Sequence, residues 1–110
     1  MNKDPIRYLS LAAKAGKLIT GADECEQMVK RGRKGLLIQA SNAGANTGKR
    51  AASMIEARGV RRIRVNYSKS ELAAAVGRGS SVALALVTDE GLAAAFTAAA
   101  ANGMEQEERI

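Results

Sequence analysis

Gly21, Asp23, Glu24 and Gln27 are the residues of this chain whose types and spacing could do chemistry: a glycine opens a helix whose first turns carry two carboxylates and an amide. At helical spacing, positions 23, 24 and 27 share one edge. From there they can present acceptors and donors to the edges of nucleobases. A local reading competes with this one, because carboxylates in a first turn complement the positive end of the helix dipole, worth a few tenths of a kcal/mol up to ~1. The segment alone leaves both readings open.

Charge narrows the partner. Lys and Arg number 17 against 11 Asp and Glu, a formal net charge of +6. The last eight residues hold Glu105, Glu107, Glu108 and Arg109, a net of −2, so residues 1–102 carry +8. Residues 1–50 hold ten of the cations against four acids. A body this basic points to a polyanion, and no apolar run approaches the ~20 residues that span a bilayer, so RNA or DNA is favoured over a membrane. Lys17, Lys30, Arg31, Arg33, Lys34, Lys49 and Arg78 are the candidate phosphate neutralisers. A merely soluble basic surface is the alternative.

Much chemistry is excluded by composition. The chain has no histidine and one cysteine, Cys25, which removes imidazole catalysis, ordinary zinc sites and internal disulfides. No metal or cofactor is expected. Cys25 recurs with Met28 and Val29 on an inward face, which makes it a small buried hydrophobe in preference to a nucleophile. Gly44 to Arg50 resembles a phosphate-binding loop, but it has one residue too few between its glycines, and Arg50 replaces the hydroxyl that would hold magnesium. Gly32-Arg33-Lys34-Gly35 has the spacing of a backbone clamp, yet a strand follows at once, so it reads as a helix C-cap with a basic turn able to touch phosphate. In the loop from Val76 to Val82, Gly79 and Ser80 would let an RNA backbone approach Arg78, or the segment is an ordinary turn.

The elements that must hold these residues follow from periodicity. Asp4-Pro5 starts a helix over roughly 5–15, and residues 17–20 form a short extended piece. Gly21 opens helix two, which Gly32 ends. The apolar run 35–40 reads as a strand buried on both faces. A polar loop, 41–47, feeds helix three, which stops at Gly59. Ile63, Val65 and Tyr67 alternate with polar residues as a near-edge strand. Ser68 and Glu71 form a capping box for helix four, which ends at Gly77. A strand over 82–87 and a final helix capped by Thr88-Asp89 complete the order. Strands alternating with helices predict an α/β fold, a three-layer α/β/α sandwich with a mainly parallel, mixed sheet of about four strands. Residues 1–102 are expected to form one domain and 103–110 an acidic, flexible tail. The N-terminus leads into an amphipathic helix instead of a signal-peptide core, so the chain is expected to be cytoplasmic.

With the segments placed, residues 6–96 resemble the ribosomal protein L-seven-Ae superfamily, and within it the small bacterial YlxQ-like branch. The resemblance rests on 9–18 (LSLAAKAGKL), the Gly21-to-Gly32 helix, 37–43 (LIQASNA), 68–72 (SKSEL) and Val76-Gly77-Arg78. It implies an α/β/α sandwich that binds RNA, characteristically kink-turns, in which sheared G·A pairs beside a three-nucleotide bulge bend the duplex. In such proteins a Gly-x-Asn-Glu-x-x-Lys pattern opens the second helix and reads guanine edges and backbone at the kink. Gly21 and Glu24 match it; Asp23 stands at the asparagine and Gln27 at the lysine. Asp23 can accept but not donate, and Gln27 keeps hydrogen bonding while losing charge. The family's apolar loop residues fall at Arg78, Gly79 and Ser80, where guanidinium stacking would substitute. The expectation is a noncatalytic, monomeric RNA-binding protein for structured RNA, a kink-turn of ribosomal or regulatory RNA, with possible association with the ribosome. The competing classes are a protein-interaction module with a basic face and a small nucleotide-binding domain.

Overall fold

The computed structural model describes residues 4–103. In chain order these form α1 (Ile6–Lys14), β1 (Leu18–Thr20), α2 (Ala22–Lys30), β2 (Gly35–Gln39), α3 (Ala45–Met54), β3 (Val60–Arg64), α4 (Lys69–Val76), β4 (Leu84–Val87) and α5 (Glu90–Gly103). The acidic tail expected at 103–110 lies, from Met104 on, outside the described residues.

Local chemistry sets most boundaries. Asp4 accepts the Ile6 N–H at 3.2 Å and the Tyr67 hydroxyl at 2.5 Å, which ties the start of α1 to the connection after β3. α2 ends in a Schellman motif: Gly32 adopts φ +97°, its N–H reaches the Val29 carbonyl, and the Arg33 N–H reaches the Met28 carbonyl at 2.9 Å. The expected capping box is present, with Glu71 N–H donating to Ser68 Oγ and Ser68 N–H donating to the Glu71 carboxylate. Asp89 caps α5 by accepting the Leu92 N–H at 2.9 Å. Helix three differs from expectation at both ends. It begins at Ala45, where extended Gly44 serves as N-cap, and it closes at Met54 because the following residues tighten into turns. The last strand begins at Leu84, two residues later than expected.

The sheet is four-stranded and mixed, in the order β1-β4-β2-β3. β1, β2 and β3 run in one direction, and with β4 opposed to them the sheet is mixed, as expected. β4 lies between β1 and β2, so among the described residues the one parallel ladder is β2 with β3, and both ladders of β4 are antiparallel, more antiparallel pairing than expected. Every residue of β4 is buried, which fits an interior strand, and β3 forms one edge.

Alternation along the strands divides the core between two faces. Leu36, Ile38, Ala85 and Val87 pack with Leu9 of α1, Leu72 and Val76 of α4 and Phe96 of α5. Leu37, Leu84 and Leu86 pack on the opposite face with Cys25 of α2 and Ala51 and Met54 of α3. Helices therefore cover both faces, and the architecture is the expected α/β/α sandwich. Among the described residues no helix is long and apolar enough to cross a membrane.

Candidate nucleic-acid interface

The C-terminal ends of β1 and β2 and the start of β4 share one end of the sheet, and α2 begins there. Gly21 makes the turn with φ +101°, a conformation that other residues rarely adopt. Its N–H donates to the Leu84 carbonyl at 2.9 Å, and its carbonyl accepts the Cys25 N–H at 2.9 Å, so the helix entrance is anchored to the interior strand β4. A Cβ at position 21 would lie 3.7 Å from Glu24 Cγ, which shows that the Glu24 stem lies beside the glycine. Among the described residues no side chain caps α2, leaving its opening amides without a side-chain acceptor. Asp23, Glu24 and Gln27 are all exposed on this edge.

The α4–β4 connection reaches the same place. Arg78 Nη1 donates to Thr20 Oγ1 at 3.4 Å, next to Gly21 in the chain. Gly77 closes α4 in the left-handed conformation, and the exposed Arg78-Gly79-Ser80 turn follows.

α3 supplies a residue that sequence reasoning missed as part of this edge. Arg50 Nη2 lies 2.6 Å from both Asp23 Oδ1 and Glu26 Oε1, joining α2 to α3. The Arg50 hydrogen bond holds the Glu26 carboxyl below its usual range, and the two carboxylates raise the guanidinium in return. Asp23 keeps 88% of its side chain exposed while paired, whereas Arg50 keeps 31%. One of its carboxylate oxygens is thus engaged by a cation, and the side chain still faces solvent. Lys49, exposed, precedes Arg50 on the same helix. Glu26 sits one helical turn after Asp23, a visible spacing, but nothing in the sequence places Arg50 across from them.

The remaining cations do not join this edge. Lys30 and Arg31 lie at the far end of α2, which at nine residues is about 13 Å long. Lys17, Arg33 and Lys34 border a separate concavity at the opposite end of the sheet. The structure thus divides the expected RNA-binding residues into two groups: Gly21, Asp23, Glu24, Gln27, Lys49, Arg78, Gly79 and Ser80 toward one pole, and Lys17, Lys30, Arg31, Arg33 and Lys34 toward the other.

Cys25 is fully buried beneath the edge, its Sγ 3.5 Å from the Ile19 carbonyl oxygen. Burial, aided by the Glu24 charge, pushes the thiol from 9.0 up to about 12. Because the folded value is the higher one, the stability this group contributes is complete below pH 9 and is lost as the pH rises toward 12. At pH 8 the native thiol is expected to react with iodoacetamide at least ~10-fold more slowly than in the urea-unfolded chain, read by mass spectrometry. Among the described residues no cluster of three or more Cys, Asp or Glu side chains is placed to hold a metal ion.

Comparison with known proteins agrees with this architecture. The family model described as "Ribosomal protein L7Ae/L30e/S12e/Gadd45 family" matches residues 6–97. No curated protein matches the sequence. Among solved structures, a protein of unknown function from Bacillus halodurans is similar at 26% identity with a TM-score of 0.78, covering 87% of this chain and 95% of that one. A Giardia lamblia 15.5kD RNA binding protein shares the fold at 20% identity and a TM-score of 0.72, covering 96% of this chain and 92% of the other. A match over nearly the whole described fold, with the same layered architecture, decides the matter: the chain belongs to the ribosomal protein L7Ae/L30e/S12e/Gadd45 family.

Proposed function

We propose that this protein binds structured RNA without catalysing a reaction, docking the N-terminal edge of α2 against a kink-turn. The observation that carries the reading is the convergence at that edge: Glu24 beside the Gly21 turn, exposed Asp23 and Gln27, and Arg78 brought next to Thr20 from a distant connection. Family membership and the RNA-binding description of the Giardia protein support the choice of RNA. Arg78, Lys49 and Arg50 meet phosphates and supply affinity, while Glu24 and Gln27 meet base edges and supply selectivity. Asp23 alone cannot donate a hydrogen bond. Paired with Arg50, the two side chains together offer an acceptor and donors, the combination that the asparagine of the family pattern offers by itself. Arg50 also neutralises carboxylates that would otherwise repel phosphate. The protein acts as a cytoplasmic monomer on ribosomal or structured regulatory RNA.

A gel-shift comparison tests this reading with a kink-turn hairpin, the same hairpin with its G·A pairs replaced, and polyglutamate. Preference for the first is expected; equal binding of both hairpins, or capture of polyglutamate, rejects it. Arg50→Ala is expected to weaken hairpin binding several-fold at low salt, with the deficit shrinking as salt rises. A titration across salt concentrations reads both effects.

A further inference from the structure

The pole opposite Gly21 carries a second basic surface that the kink-turn reading does not use. An open concavity of about 730 Å³ lies where β2 and β3 begin and β4 ends. Four cations from three parts of the fold border it: Lys17 after α1, Arg33 and Lys34 between α2 and β2, and Arg61 on the edge strand β3. All four are exposed, and none forms an ion pair among the described residues. Among the described residues Glu90, in the first turn of α5, is the one acid of the lining, which leaves a net charge of +3 on them. A charge on β3 could be explained as protection of a sheet edge. That explanation does not reach the cations arriving from two other connections.

Backbone chemistry fixes this arrangement. The Lys17 carbonyl accepts both the Thr88 N–H at 2.9 Å and the Thr88 Oγ1 hydroxyl at 3.2 Å, which pins the Lys17 backbone to the end of β4. The Gly35 N–H donates to the Gly59 carbonyl at 3.0 Å. Gly59, at φ +86°, leaves room for the Lys34 stem: a Cβ there would lie 2.7 Å from Lys34 Cδ. Much of the rest of the lining is small, with Gly32, Gly35, Gly59 and Ala94 among its residues, which lets a bulky backbone come close. Among the described residues no aromatic ring lines the concavity. Unpaired bases need rings to stack on, so the lining suits phosphates, and the paired sugar–phosphate backbone of a duplex over a single strand.

We propose that this concavity is a second RNA site, taking the sugar–phosphate backbone of an RNA helix without sequence preference, so that one protein molecule holds a bent RNA at one pole and a separate helix, or a distant arm of the same RNA, at the other. It shares with the proposed function only the assignment of RNA as the polyanion. Lys17, Arg33, Lys34 and Arg61 neutralise phosphates, and the glycines and Ala94 permit the approach.

Amide NMR on the full chain tests it, with a plain 16-base-pair RNA duplex titrated into free protein and into protein loaded with the kink-turn hairpin. The duplex is expected to shift the Gly32, Gly35 and Gly59 amides in both titrations. The variant R33A/K34A/R61A is expected to bind the duplex at least tenfold more weakly when loaded, with the log–log salt slope reduced by about 2 to 3. Its affinity for the hairpin should stay within twofold, and the amides away from the concavity should keep their positions, which establishes that it is folded. Shifts confined to Gly21 and Gly79, or wild-type duplex affinity in the variant, would overturn the proposal. Displacement of the duplex by inorganic phosphate or by polyglutamate at equal charge concentration would do the same, assigning the surface to free anions or to acidic protein. Loss of kink-turn preference with the Gly32, Gly35 and Gly59 shifts retained would reject the proposed function and leave this second site standing.

Discussion

Glu24→Ala is expected to weaken binding to a kink-turn hairpin by ~1–3 kcal/mol, roughly five- to 150-fold, while leaving binding to plain duplex nearly unchanged. Glu24 is exposed, so its removal leaves the core untouched, and its stem lies beside Gly21 at the helix entrance. The fixed Gly21 turn sets where the helix places Glu24, so its carboxylate can meet a base without movement of the backbone. Parallel titrations of the two RNAs decide it. Equal losses on both would show that Glu24 acts through general electrostatics or folding and does not read the RNA.

Gly35→Ala is expected to destabilise the protein by ~3 kcal/mol or more, lowering Tm by at least about 10 °C for a chain of this size. Gly35 opens β2, and a Cβ added there would lie 2.1 Å from the Val87 carbonyl oxygen and 3.0 Å from its carbon. Those atoms belong to the backbone of β4, an interior strand, so the clash cannot be relieved by a rotamer change. The φ of +152° adds strain of its own. Gly44→Ala is the control. Its φ is −71° and nothing lies within 4 Å, so its cost should stay below ~1 kcal/mol. Thermal unfolding of both variants makes the comparison, and similar Tm values would contradict the close approach of β2 to β4.

Features written in a few adjacent residues were legible in the sequence. Ser68 and Glu71 announce the start of α4, Asp89 that of α5 and Gly32 the end of α2, because each cap is completed by backbone groups within six residues. The burial of Cys25 followed from helical periodicity. The entrance of α2 was also legible, since Gly21, Asp23, Glu24 and Gln27 lie within seven positions. What the sequence hid was long-range. The antiparallel insertion of β4 between β1 and β2 depends on how the last connection returns, and an apolar strand looks the same in either direction. The Arg50 pairing joins residues 27 and 24 positions apart on two helices. α3 starts earlier than its residues suggest, because Asn46, Thr47 and Gly48 are poor helix formers, outweighed here by the packing of Ala51 and Met54. The division of the cations between two poles was invisible for the same reason: Arg33 and Lys34 follow α2 closely in the chain, but the turn that ends the helix carries them to the end of the sheet opposite Gly21.

Docking of bent RNA on the entrance of α2 is tested most directly by fluorescence transfer between dyes on the two arms of a kink-turn RNA, in low salt and without magnesium. A protein that binds the bent form preferentially must shift the RNA toward it. Adding this protein should raise transfer for the kink-turn, not for the same RNA with its G·A pairs replaced, and Glu24→Ala should require a higher concentration for the same rise. Equal transfer for both RNAs at saturating protein would contradict the claim that this edge recognises the kink.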